Sequence, residues 1–138
     1  MLAVIRVRAP AEVRDSINDT LKMLRLTRAN HCVLLKESPS TAGMLLKARG
    51  CITWGPVEPE LVERLVAKRG RMAGDARVPA AEAKKAAQAI LNSERTAVKP
   101  VFRLNPPSKG FRATKMAWPK GDLGDRGEAI NELIERMM

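Results

Sequence analysis

Between Leu2 and Trp54 the spacing of apolar residues switches from two to about 3.6 and back, twice over. This rhythm constrains the fold more tightly than any other feature of the chain. It begins with LAVIRVR, where Ala3, Ile5 and Val7 point one way and Leu2, Val4, Arg6 and Arg8 the other. That is a half-buried strand whose second face ends in two cations. Pro10 then opens a helix, with Val13, Ile17, Leu21 and Leu24 on one stripe. After the polar, basic linker RLTRANH, CVLLK at 32–36 is a short apolar strand. In ESPSTAGMLLKARG, Ser40 or Thr41 caps a second helix, Met44 and Leu45 point inward, and Gly50 ends it. CITW at 51–54, β-branched and aromatic, is a third strand. Residues 1–55 therefore read as a β-α-β-α-β unit of the α+β class, with two helices on one sheet face and the other face open.

Residues 56–94 read as a helical extension. Glu58 caps a helix with Pro59 at its first position, Leu61, Val62, Leu65 and Val66 on its stripe, and Gly70 at its end. GRMAGDARV is a loop, and PAAEAKKAAQAILN is a helix by propensity with little apolar bulk. A closing helix over 122–138 starts at Asp125, with Glu128 three residues on. Its stripe of Ile130, Leu133, Ile134 and Met137 must dock back on the domain.

Between these helices, 95–121 is different in kind. The chain carries 25 Lys and Arg against 15 Asp and Glu, a net charge of +10. By segment the net charge is +5 over 1–55, +2 over 56–95, +6 over 96–120 and −3 over 121–138. From Arg95 to Gly121 there is no acid at all. NPPSKG cannot be a helix interior or a central strand, because two prolines remove two donors and fix two φ angles. VKPVFRL before it reads as a strand or an extended segment, but the segment as a whole reads as a stiff, extended arm without a core of its own. Phe102, Phe111 and Trp118 interleave with Arg103, Lys109, Arg112, Lys115 and Lys120, a mixture that suits unpaired bases and phosphates. A solvated surface normally carries both signs of charge, so an acid-free run of this length points to a polyanion.

Catalysis is poorly supplied. The chain has one His and no Tyr, and it lacks a GxSxG, a glycine-rich phosphate loop and an HExxH. Every acid reads as a helix cap or a solvated face. No catalytic residue, metal site or cofactor is expected. Cys32 and Cys51 stand apart without metal-ligand spacing and read as reduced, partly buried thiols of a cytosolic protein. They could pair only if their α-carbons came within about 7 Å. No apolar run approaches the ~18–20 residues of a membrane span. His31 is left open between a solvent-exposed loop residue and an RNA contact. Arg6 and Arg8, and likewise Arg25 and Arg28, either solvate the surface or meet the polyanion. Without a helix-turn-helix, zinc finger or paired aromatic strand motifs, RNA is favoured over DNA.

Three stretches together identify a family. TLKMLRLTRANHCVLLKESPSTAGMLLKARGCITWG resembles the core of the large-subunit ribosomal protein family numbered thirty in bacteria and archaea and seven in eukaryotes. VFRLNPPSKGF and the closing GDLGDRGEAINELIERMM resemble the extension of its archaeal and eukaryotic members. The chain has no long basic segment before the first strand, which favours an archaeal member.

The resemblance implies a three-stranded, largely antiparallel sheet and a structural role in the large subunit. The implied partners are 23S-type rRNA, close to 5S rRNA, and neighbouring large-subunit proteins. Carried over by position, Arg25, Arg28, Asn30 and His31 match the basic loop before the second strand. Thr41, Gly43 and Met44 match the start of the second helix. Arg103, Pro106, Pro107, Lys109, Gly110 and Phe111 match the proline motif of the extension. With Arg6, Arg8, Arg112 and Lys115 these form the expected RNA-binding set. The competing expectation is a free RNA- or nucleoid-binding protein acting outside the ribosome.

Overall fold

One sheet organises the molecule, a computed structural model that describes residues 1–138. At its centre β1 (Leu2–Arg6) pairs antiparallel with β2 (His31–Leu35) on one side and β3 (Ile52–Pro56) on the other. The helices α1 (Asp15–Met23) and α2 (Pro39–Ala48) link them in the expected β-α-β-α-β order. Pro10 opens only a single 3-10 turn, Pro10–Glu12, before α1 begins. In α2 the cap is Ser38 rather than Ser40 or Thr41: its hydroxyl accepts from the Thr41 N–H at 3.1 Å, because Pro39 fills the first helical position.

The sheet has five strands, not three. β4 (Val101–Arg103) adds antiparallel to β2, and the two-residue β5 (Gly124–Asp125) adds parallel to β3, giving the order β4-β2-β1-β3-β5. Both additions come from the C-terminal half and satisfy outer edges that would otherwise be left unpaired.

Neither sheet face is open. Val4, Val33 and Ile52 pack under α1 and α2 with Leu21, Leu24, Leu26 and Leu45. Ala3, Ile5, Cys32 and Phe102 pack on the opposite side. There α3 (Pro59–Arg69) contributes Leu61, Val62, Leu65 and Val66, and α5 (Ala129–Met137) contributes Ile130, Leu133, Ile134 and Met137. The alanine-rich α4 (Ala80–Leu91) lies against α3 through the small buried residues Ala83 and Ala87. The face expected to be open is closed because the docking stripe of α5 needs it. α5 starts at Ala129, later than Asp125, since Asp125 is spent on β5 and on accepting the Gly127 N–H at 2.9 Å.

Close approach makes one glycine indispensable. A Cβ on Gly55 would stand 2.1 Å from the Gly127 carbonyl oxygen, so β3 could not lie against the turn that launches α5.

The first part of 95–121 belongs to the core, against the expectation of an arm without one. Phe102 is 1% exposed, and Val98, Leu104 and Pro107 are buried too. The alternation of 102 and 104 with exposed 103 and 105 is a strand signal, diluted by the surrounding prolines.

Candidate nucleic-acid interface

At the end of the sheet where His31 pairs with Arg103, residues from three separated stretches line a cleft of about 350 Å³. Arg25 and Thr27 come from the turn after α1, and His31 from the start of β2. Arg71 and Asp75 come from the loop after α3, and Lys99, Pro100, Val101 and Arg103 from the run into β4. The loop is held beside β4 by a Lys99 N–H to Arg71 carbonyl hydrogen bond of 2.7 Å and a bridge between Met72 and Val98. Arg25 and Asn30 adopt left-handed backbone at φ 63° and 64°, which folds the basic linker into a tight turn.

The cleft is a field of positive charge with one acid in it. Asp75 sits 2.6 Å from Lys99 Nζ and 3.9 Å from Arg103 Nη1. The hydrogen bond from Lys99 and the charges of Lys99, Arg103 and Arg71 hold its carboxyl below the ordinary range. His31 is half-buried at the head of a strand, not in a loop, and its Nδ1 is buried without a partner. Burial first, then the charges of Arg103, Arg28 and Arg6, push its pKa down. A phosphate here would meet several donors already desolvated on one side.

Arg6 takes no part in this surface. It was expected on an open face, but it is 1% exposed. Its guanidinium donates to the Leu26 carbonyl at 2.7 Å, to Asn18 Oδ1 at 2.8 Å and to the Arg8 carbonyl at 2.8 Å. Those acceptors replace water, so Arg6 is a buried strut that ties α1 and its following turn to β1. Arg8 is partly exposed and lies 3.4 Å from Glu12.

From β4 the chain runs directly into the second basic surface. Pro106 is exposed and Pro107 buried, and Lys109 and Gly110 both take positive φ, at 68° and 72°, to make a tight turn. Arg136 at the end of α5 clamps that turn, donating to the Ser108 carbonyl at 3.1 Å and the Gly110 carbonyl at 2.6 Å. Beyond half-buried Phe111, the exposed Arg112, Lys115 and Lys120 ride on a loop that folds on itself. The Asp122 carboxylate accepts from the backbone N–H groups of Arg112 and Ala113 and pairs at 2.6 Å with Arg126. The Arg126 guanidinium in turn stacks 4.7 Å over the Trp118 ring. One face of Trp118 is thus taken by a protein cation.

The structure therefore gathers Arg25, His31 and Arg103 in the cleft, sets Arg28 close enough to act on His31, and presents Lys109, Arg112 and Lys115 after it. Thr41 and Gly43 lie on α2 and do not line the cleft, with the Thr41 hydroxyl 2.9 Å from Ser38 Oγ. Sequence reading missed Arg71, Asp75 and Lys99. Lys99 stood inside the acid-free run and could have been singled out. Arg71 and Asp75 sat in an ordinary loop with no local signal.

The protein-family model described as Ribosomal protein L30p/L7e matches residues 2–50. A protein of Methanosphaera stadtmanae named large ribosomal subunit protein uL30 is 44% identical over the whole of both chains. Proteins of the same name from Methanobrevibacter smithii and Archaeoglobus fulgidus are 41% identical over the whole of both chains and 35% identical over 99% of each.

Proposed function

The chain belongs to the ribosomal protein L30p/L7e family as an archaeal member, and from this we propose that it is a structural constituent of the large ribosomal subunit that binds large-subunit rRNA. It acts in the cytoplasm, as part of that subunit, and performs no catalysis. The observation that carries the RNA reading is the convergence of Arg25, His31, Arg71, Lys99 and Arg103, from three distant stretches, on a single cleft. Charges of one sign repel, Asp75 offsets only part of that repulsion, and a bound polyanion would offset the rest.

The mechanism is that of a clamp. Cations in the cleft and on the loop after β4 neutralise phosphates where RNA strands crowd together, while the closed double-layered core keeps them at fixed separations. Residues 1–55 form the anchoring core and 56–94 buttress it. Residues 95–121 carry the second basic surface, and 122–138 lock it down through Arg136 and Arg126. The RNA is of the 23S type, near 5S rRNA as the family resemblance implies, and DNA is not a partner. Arg8, Arg25, Arg28, Asn30, His31, Arg103, Pro106, Lys109, Gly110, Arg112 and Lys115 are the proposed contacts, with Arg71 and Lys99 added.

Sedimentation tests the reading. In high magnesium the full chain should travel with large subunits. Free in solution, it should bind rRNA fragments about 10³-fold more weakly at 200 mM than at 50 mM salt, if about six phosphates are neutralised. A chain that stays at the top of the gradient acts outside the ribosome, and a flat salt response removes the electrostatic basis altogether.

A further inference from the structure

At the opposite end of the sheet, where Leu2 pairs with Pro56, lies an open groove of about 680 Å³ with a contrary character. Pro39, Leu45, Leu46 and Trp54 form its apolar floor, and Glu37 and Asp125 stand on its rim. Leu46 is 61% exposed, one of only three large hydrophobic side chains so displayed. In a chain of net charge +10, no Lys or Arg lines this groove. Neither Glu37 nor Asp125 has a cationic partner, although the protein pairs six other cation–acid couples. Asp125 accepts the Gly127 N–H through Oδ1 at 2.9 Å, and its second oxygen has no hydrogen-bond partner in the protein.

We propose that this groove is a docking site for a short segment of a neighbouring large-subunit protein that carries Lys or Arg beside an apolar anchor. Two unpaired carboxylates above an apolar floor repel phosphate and complement such a segment in both charge and polarity. The volume is that of a site taking a few side chains, and the half-buried Trp54 is of the residue type most enriched at interface centres. Because His31 and Leu35 mark opposite ends of β2, the RNA cleft and this groove can be occupied together. The proposal rests on the ribosomal reading for the source of the partner.

Photo-cross-linking tests it on the assembled particle. The full chain with Leu46→benzoylphenylalanine is expressed in an archaeal host, large subunits are purified, irradiated and digested, and adducts are identified by mass spectrometry. Leu46 is exposed, so the substitution leaves the core intact. The expected adduct is a peptide of one neighbouring protein with Lys or Arg within a few residues of an apolar attachment point. The same probe at Met23, 68% exposed on α1, should not give that peptide. Adding Glu37→Lys with Asp125→Asn, which keeps an acceptor for Gly127, should cut the yield at least about fivefold. An adduct to rRNA, to a second copy of this chain or to an acidic segment overturns the proposal, as does no adduct from subunits that contain the chain. Absence of the chain from the subunits overturns the ribosomal reading and this proposal together.

Discussion

Phe102 and Arg103 are neighbours on β4 and should fail in opposite ways when truncated. Phe102 pairs with Cys32 across the ladder and is 1% exposed within the core cluster of α3 and α5. Truncating a buried Phe to Ala typically costs about 3–5 kcal/mol, of a total near 7–20 kcal/mol for a chain of this length. The melting temperature of Phe102→Ala should therefore drop by roughly 10–20 °C. The Arg103 side chain is 67% exposed, and its ion pair with Asp75 is long, at 3.9 Å. Arg103→Ala should shift the melting temperature by no more than about 2 °C, as surface substitutions do. Its effect belongs to RNA: one lost phosphate contact should lower the slope of log K against log salt by about 1. Thermal denaturation followed by Trp54 and Trp118 fluorescence, with filter binding at several salt concentrations, reads both quantities. A Phe102→Ala protein that melts within a few degrees of the parent would show that β4 is not packed as described. A destabilised Arg103→Ala would show that the cleft cation is structural.

Other consequences are equally direct. Replacing Arg103, Lys109, Arg112 and Lys115 together with Gln should weaken incorporation into large subunits and lower the salt slope by about 3–4, with little change in melting temperature. Asp75→Asn should act in reverse, tightening RNA binding by releasing Lys99 and Arg103; weaker binding would mean that Asp75 positions them instead. His31 has a depressed pKa, chiefly from burial, so the unfolded chain binds its proton first. Free-protein stability should fall as pH drops below about 6.5, while phosphate nearby favours protonation and RNA binding should tighten over the same range. His31→Gln should flatten both trends, and unchanged pH profiles would refute the placement. Cys32, pushed up to about 12 by burial, and Cys51, also raised chiefly by burial, should resist alkylation at pH 8 until the protein unfolds. The two lie in clusters on opposite sides of the sheet, so Cys32→Ala with Cys51→Ala should leave subunit association intact.

What the sequence made legible was local. The β-α-β-α-β order follows from apolar spacing within single elements, and the stripes of α3 and α5 are the ones that pack. What it hid depends on residues far apart in the chain. Val101–Arg103 read as a strand or an extended segment, and its place on the edge of β2 is decided by Phe102 fitting the cluster beneath α3 and α5. Arg6 looked solvent-facing by alternation, and only the folded turn after α1 brings the Leu26 carbonyl to it. The loop after NPPSKG looked free because its anchor, Asp122, lies just beyond the acid-free run. Arg25 and Arg103 were each suspected separately, whereas their meeting in one cleft with Arg71 is a property of the sheet order.

The central claim is that this protein grips rRNA through the cleft at one end of its sheet and the basic loop after β4. Ultraviolet cross-linking of purified large subunits, with peptide–nucleotide adducts mapped by mass spectrometry, measures that grip directly. Adducts should concentrate on peptides containing Arg25, Arg28, His31, Arg71, Lys99, Arg103, Lys109, Arg112 and Lys115. They should be missing from those containing Leu46 and Trp54. Adducts on the Leu46 and Trp54 peptides, with none on the cleft, would contradict the account.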